Sequence, residues 1–300
     1  MTNLTDRIPY SAIVDRPPLR LPDGNRVVVW IIVNVEEWSI TRAMPRTVLP
    51  PPMGGSLLPD VPNWAWHEYG MRVGYWRLMN VLKRLGVQAT LAINARVCRS
   101  YPRVAQAALD AEWEFMGHGF VQGPMHQLED QRQEIHHAVD EICAFTGHPP
   151  RGWESPGLTE TDQTLDYLRE AGIEYVADWV LDDQPVEIST AHGPMVSVPY
   201  TVEINDIVIS LVQNHPSHVL RDRGKEQFDQ LHRESEDSAR VMAISVHPYI
   251  TGAPHRIRYF EELLVHIQQK GGALFQTGGE ILDWYRSQAR MHSVSSSTVF

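Results

Sequence analysis

Arg26-Val27-Val28-Val29-Trp30-Ile31-Ile32-Val33-Asn34-Val35-Glu36-Glu37-Trp38 is an apolar run that ends abruptly in two adjacent carboxylates. A run this apolar predicts a strand buried on both faces, as in parallel sheets. Its C-terminal end then delivers Glu36 and Glu37 to the rim of the sheet, where α/β enzymes hold their chemistry. Taken alone, the pair reads equally well as a solvated turn after a core strand. Its company favours a site: His118-Gly119, Arg151-Gly152-Trp153-Glu154-Ser155-Pro156-Gly157, Asp178-Trp179 and His247-Pro248 follow along the chain. Each of the last three lies at or just after the end of a short apolar segment, so several strands bring polar groups to one end.

Beyond Trp38 comes a long Pro- and Gly-rich stretch that includes Pro50-Pro51-Pro52-Met53-Gly54-Gly55. A loop of that length on a compact domain is expected to wall the site, with Trp64, Trp66 and His67 either lining it or pinning it down. Helices are predicted over Tyr75–Leu85, stopped by Gly86, then over Tyr101–Ala111, Leu128–Phe145, Thr159–Ala171, Lys225–Ser235 and Ile257–Lys270, with a last one capped by Thr277. Between them fall strands at Gln88–Asn94, Glu114–Met116, the segment ending at Trp153, Tyr175–Ala177, Val241–Val246 and Ala273–Phe275. This alternation implies a parallel sheet, and its repetition suggests closure into a barrel. The sector Pro194–Gln213 is less regular, and Met195–Tyr200 and Ile207–Leu211 read there as two strands joined without a helix. The organisation expected is an N-terminal arm over 1–25 that lies on a partner subunit, one barrel domain over 26–290, and a disordered tail over 291–300.

Three hundred residues with a 43% hydrophobic fraction and nine Trp suffice for a large core, and no linker or charge run divides the middle of the chain. The formal net charge of −11, with no basic stripe, argues against nucleic acid or an anionic membrane as partner. Met1–Arg7 lacks the pattern of a signal peptide, which points to a cytoplasmic protein. Cys98 and Cys143 lie far apart without CxxC spacing and read as buried thiols.

In order, Glu36-Glu37, Tyr69-Gly70-Met71-Arg72-Val73-Gly74, His118-Gly119, Arg151-Gly152-Trp153-Glu154-Ser155-Pro156, Asp178-Trp179 and Ser245-Val246-His247-Pro248 resemble the polysaccharide deacetylase superfamily over about Arg26 to Trp284. The second and fourth motifs look most like its branch of metal-independent allantoinases, cyclic imide hydrolases and intracellular deacetylase-like proteins. The resemblance implies a distorted (β/α) barrel of the polysaccharide deacetylase type that hydrolyses an amide-type C–N bond by attack of water. It implies Glu36 as base, Glu37 and His118 at metal-ligand positions, His247 as acid, Arg151 orienting the base, and Asp178 with Trp179 holding or covering His247. Trp153, Glu154, Ser155, Gln122 and Arg72 are the remaining substrate-contact candidates.

Two departures shape the expected chemistry. The family's usual Asp-Asp is Glu-Glu here, and the second ligand His, four residues after His118, is replaced by Gln122, a poor zinc ligand. A Zn2+ site of Glu37, His118 and His126 and a site without metal are both open. A carboxylate base beside a second carboxylate, with an imidazole acid, fits water attack in either case. The ring of a cyclic amide or imide is more electrophilic than a plain acetamide, which suits a metal-poor site. The expected function is hydrolysis of such a small molecule by a homo-oligomer, dimer or tetramer. The alternatives are N-deacetylation of an acetylated sugar or polysaccharide, and a barrel that binds a ligand without turning it over.

Overall fold

In the computed structural model, residues 4–51, 54–55 and 58–297 are described, with side chains to Gln288. Pro52 and Met53 of the expected loop, and Thr298–Phe300 of the expected tail, lie outside the described residues. The strands in chain order are β1 Val27–Val35, β2 Thr90–Ile93, β3 Glu114–Gly117, β4 Gly152–Trp153, β5 Tyr175–Val176, β6 Val186–Ile188, β7 Met195–Ser197, β8 Arg240–Val246 and β9 Ala273–Phe275. Their order in space is β6-β7-β5-β4-β3-β2-β1-β8, with β9 against β1. All pairs are parallel except β6 with β7. The sheet curls, and the gap beyond β8 is bridged by irregular backbone: Val241 N–H donates to Asp183 C=O at 2.8 Å and Ser245 N–H to Ile204 C=O at 3.0 Å.

Every residue of β1 is buried. Val27, Val29, Ile31, Val33 and Val35 face the outer helices, while Val28, Trp30 and Ile32 face the barrel interior with Tyr175 and Tyr200. That alternation of period two explains the continuous apolar run, because both faces pack. It also decides the fate of the two carboxylates beyond the strand, since neighbours on extended backbone leave on opposite sides.

The outer layer comprises α1 Val61–Tyr69, α2 Tyr75–Leu85, α3 Val97–Ser100, α4 Pro102–Asp110, α5 Gln131–Thr146, α6 Thr164–Glu170, α7 Val219–Glu234, α8 Ile257–Lys270 and α9 Gly278–Ser297. Several depart from the sequence reading. The stretch expected to be loop contains α1, started by Asp60, whose side chain accepts from Asn63 N–H at 3.2 Å. Ile207–Leu211 is no strand: Val208–Val212 forms a single wide helical turn, because a five-residue apolar run carries no periodicity that separates the two. The arm docks on its own barrel, where buried Arg7 pairs with Asp166 at 2.6 Å and Leu19 and Leu21 join the interior cluster. Trp284 is buried beside that arm and donates to Arg20 C=O at 2.8 Å. The last helix continues to Ser297, through the stretch expected to be a disordered tail.

Candidate active site

A cavity of ≈ 430 Å³ opens at the C-terminal end of the strands, lined among others by Glu36, His118, Gln122, Glu154, Tyr200, Asn205 and His247. These groups follow β1, β3, β4 and β8 directly, or lie in the connections beyond the strands. Glu36 continues the inward face of β1 and is buried. Its Oε2 accepts from Trp38 Nε1 at 2.6 Å and Tyr249 OH at 3.2 Å, and its Oε1 from Gln122 Nε2 at 3.0 Å. Asn94, just past β2, donates to Gln122 Oε1 at 3.1 Å, which fixes the amide so that its NH2 faces Glu36. Burial raises the Glu36 pKa above the usual carboxylate range, opposed first by the nearby His247 and then by these donors.

His247 Nε2 lies 3.7 Å from Glu36 Oε1. Its other nitrogen, Nδ1, donates to Asp206 Oδ1 at 2.7 Å, so the proton-exchanging edge of the ring faces Glu36 and the cavity. Asp206 Oδ2 also accepts from His247 N–H at 2.8 Å and from Thr251 Oγ1 at 2.6 Å. The loop carrying His247 is seated by glycines. A Cβ on Gly74 would lie 2.0 Å from Pro248 O, one on Gly70 2.6 Å from Tyr249 N, and one on Gly252 2.5 Å from Gly74 Cα. The two glycines of the Tyr-Gly-x-Arg-Val-Gly motif therefore let the wide turn Gly70–Gly74 touch this loop main chain to main chain.

His118 Nδ1 donates to Glu154 C=O at 2.7 Å, leaving Nε2 as an acceptor at the cavity. Burial pushes its pKa down to about 4, so the ring is neutral at pH 7. Glu154 Oε2 is buried with no hydrogen-bond partner. Burial, reinforced by Asp178, raises the pKa of Glu154 well above the usual range, which favours its protonated form. Behind Glu36, His67 Nε2 meets Glu36 C=O at 3.0 Å while its ring stacks on Trp38 at 4.6 Å. Burial takes the pKa of His67 to about 3.

Several expected site residues go elsewhere. Glu37 leaves β1 on the opposite side, where it accepts from Ser100 and lies 3.7 Å from Arg96. His126 is exposed on the turn Met125–Gln127 and does not line the cavity. Arg151 precedes β4 and so sits at the far end of the sheet, paired with Glu174 and Asp283, both at 2.7 Å, where it cannot orient Glu36. Arg72 points outward to Glu68 at 3.0 Å with its side chain 74% exposed. Trp153 is a core side chain, tied to Ser155 Oγ at 3.1 Å. Ser155 is itself buried, and its N–H donates to Asp178 Oδ1 at 2.7 Å. Trp179 donates to Glu160 at 2.9 Å, so neither it nor Asp178 holds His247. That task falls to Asp206.

The cavity-lining groups missing from the sequence reading are Arg46, Tyr200 and Asn205, and the supporting groups missing from it are Asn94, Asp206 and Tyr249, with Trp38 behind Glu36. Tyr249 and Asn94 carried a usable signal, since one lies two residues after His247 and the other directly after β2. Asp206 carried none. The donor set does not fit Zn2+: Glu37 and His126 are turned away, Gln122 stands at the second His position, and among the described residues no group of three or more His, Cys, Asp or Glu is arranged to hold a metal ion.

Residues 66–176 match the polysaccharide deacetylase family model. A Schizosaccharomyces pombe protein provisionally named a polysaccharide deacetylase is 26% identical over 233 residues, which is 71% of this chain and 73% of that protein. The crystal structure of a probable polysaccharide deacetylase from Pseudomonas aeruginosa PAO1 superposes with a TM-score of 0.81 at 25% identity, over 91% of this chain and 95% of that one. PuuE allantoinase superposes with a TM-score of 0.82 at 21% identity, over 91% and 94% of the two chains, a likeness of fold. Among the described residues no helix is long and apolar enough to cross a membrane.

Proposed function

The chain is a barrel of the polysaccharide deacetylase type and a hydrolase of C–N bonds other than peptide bonds, and from that premise we propose that its substrate is a small cyclic amide or imide opened by water. The convergence of Glu36 and the Asp206-held His247 in one small cavity carries the reading, and it favours catalysis over silent binding. A volume of ≈ 430 Å³ lies toward the lower end of the roughly 300–1,000 Å³ usual for small-molecule pockets, which suits a ring better than a polymer.

In this reading Glu36 takes a proton from water as the oxygen attacks the carbonyl carbon. The neutral carboxyl of Glu154, whose Oε2 has no protein partner, donates to the developing oxyanion, as an acid kept protonated by burial can. The C–N bond then breaks as His247 Nε2 gives its proton to the leaving nitrogen. The proton held by Glu36 crosses to His247, and the ring is released as an open-chain acid. Asp206, bonded to Nδ1, keeps the Nε2 edge of the ring turned toward Glu36 through this cycle.

The test is turnover of hydantoin-type, succinimide-type and N-acetylated sugar substrates by protein purified without a histidine tag, before and after stringent metal removal. Ring opening that survives the treatment supports the proposal. Activity lost on chelation and restored by zinc overturns the reading of the donor set, and turnover of the N-acetylated sugars alone moves the function to N-deacetylation.

A further inference from the structure

Among the described residues lining the cavity, Arg46 is the one Lys or Arg, and it stands beside Pro45. It lines the same cavity as Glu36, His118 and His247. It forms no hydrogen bond or ion pair with any described residue. By contrast Arg7, Arg16, Arg99 and Arg151 each hold a carboxylate. Arg46 is exposed, as are Arg42 and Arg103, which likewise pair with no carboxylate among the described residues, and its place at the cavity is what sets it apart. The cavity's own acids do not claim it. Glu36 is taken by Trp38, Gln122 and Tyr249, and Glu154 sits buried beside His118.

We propose that Arg46 is a specificity-determining residue that receives a carboxylate of the substrate, so that the cavity selects amides or imides bearing an acid group over neutral ones. This rests on the reading of the cavity as a C–N hydrolase site. The planar guanidinium fork matches a carboxylate with two parallel hydrogen bonds, which fixes the orientation of a small ring as well as holding it. A strongly acidic protein repels anions at long range, and a local cation at the cavity offsets that repulsion where the substrate enters. Pro124, Pro156, Leu158 and Ile207 supply the apolar wall against which the carbon skeleton rests.

The experiment compares kcat/KM for hydantoin with hydantoin-5-acetate, and for succinimide with its 3-carboxylate, in the native chain, Arg46→Gln and Arg46→Lys. The native chain is expected to favour the acid of each pair by about 10- to 100-fold, the range of a charge-assisted pair. Arg46→Gln brings the ratio close to one. Arg46→Lys keeps part of it as a point charge without the fork, and about 0.5 M NaCl lowers the native ratio. A native ratio near one, or a ratio unmoved in Arg46→Gln, overturns the proposal while leaving ring hydrolysis standing. Should no ring of either kind be opened, the cyclic-amide reading fails, and succinate titrated against tryptophan fluorescence decides Arg46 separately. Saturable binding that is lost in Arg46→Gln supports the anion site, and no binding to the native chain overturns it.

Discussion

Replacing Asp206 by Asn keeps the shape of the side chain and removes the charge behind His247. Asp206 accepts from His247 Nδ1 at 2.7 Å, His247 N–H at 2.8 Å, Thr251 N–H at 3.3 Å and Thr251 Oγ1 at 2.6 Å. Three of these converge on Oδ2, so the oxygen of Asn stays there and its NH2 is left facing Nδ1. The ring must then turn Nδ1 into an acceptor, and its protonated form loses a charge-assisted bond of about 1.5–3 kcal/mol. Worked through, kcat should fall about 10- to 150-fold with KM nearly constant, since Asp206 does not line the cavity. Steady-state kinetics, with circular dichroism to confirm folding, reads both constants. A folded Asp206→Asn protein with native kcat refutes the assignment of His247 as the acid.

Glu36→Gln should lower kcat by about 100- to 10,000-fold while Glu37→Gln stays within about threefold, and equal losses would contradict the opposite directions assigned to the two side chains. Gly74→Ala places a Cβ 2.0 Å from Pro248 O, so differential scanning calorimetry should show a loss of at least about 1–3 kcal/mol, whereas the same change at an exposed helical glycine adds stability. Glu160 is raised to about 9 by burial beside Asp178, so folding favours its protonated form. That contribution is complete below the unfolded value and lost as pH climbs toward 9, while His67 and His118, held down to about 3 and about 4, add an opposite slope only below about 6.5. Tm should therefore decline between about pH 6.5 and 9, and Glu160→Gln should flatten that decline. Arg151→Met should lower Tm through its lost pairs with Glu174 and Asp283 and leave kcat within about twofold, a null effect on stability counting against the ion pairs.

The strand ends were legible in the sequence because an apolar run that stops at a polar residue fixes that residue's height on the barrel. Glu36, His118, Glu154 and His247 reached the cavity by that rule, and Gln122 through the resemblance, which places a site residue four after His118. The same rule failed at Arg151, which lies at the start of a two-residue strand. One residue of offset there separates the two ends of the sheet. Glu37 failed through side-chain direction, which is fixed only once the faces of β1 are known. Asp206 was out of reach because it acts across 41 residues from a sector whose apolar run reads as strand and folds as a helical turn. A partner set by three-dimensional closure leaves no local trace.

The glycine seam under His247 bears on how molecules enter and leave. Main chain pressed on main chain has no rotamer to turn and no side chain to fold away, so that flank of the cavity acts as an anvil. Elsewhere the cavity is lined by exposed Pro45 and Arg46 and half-buried Gly123 and Pro124. On the proposal that Arg46 receives the acid group, the opened product, which carries one carboxylate more than the ring it came from, would leave past the same guanidinium that admitted the substrate.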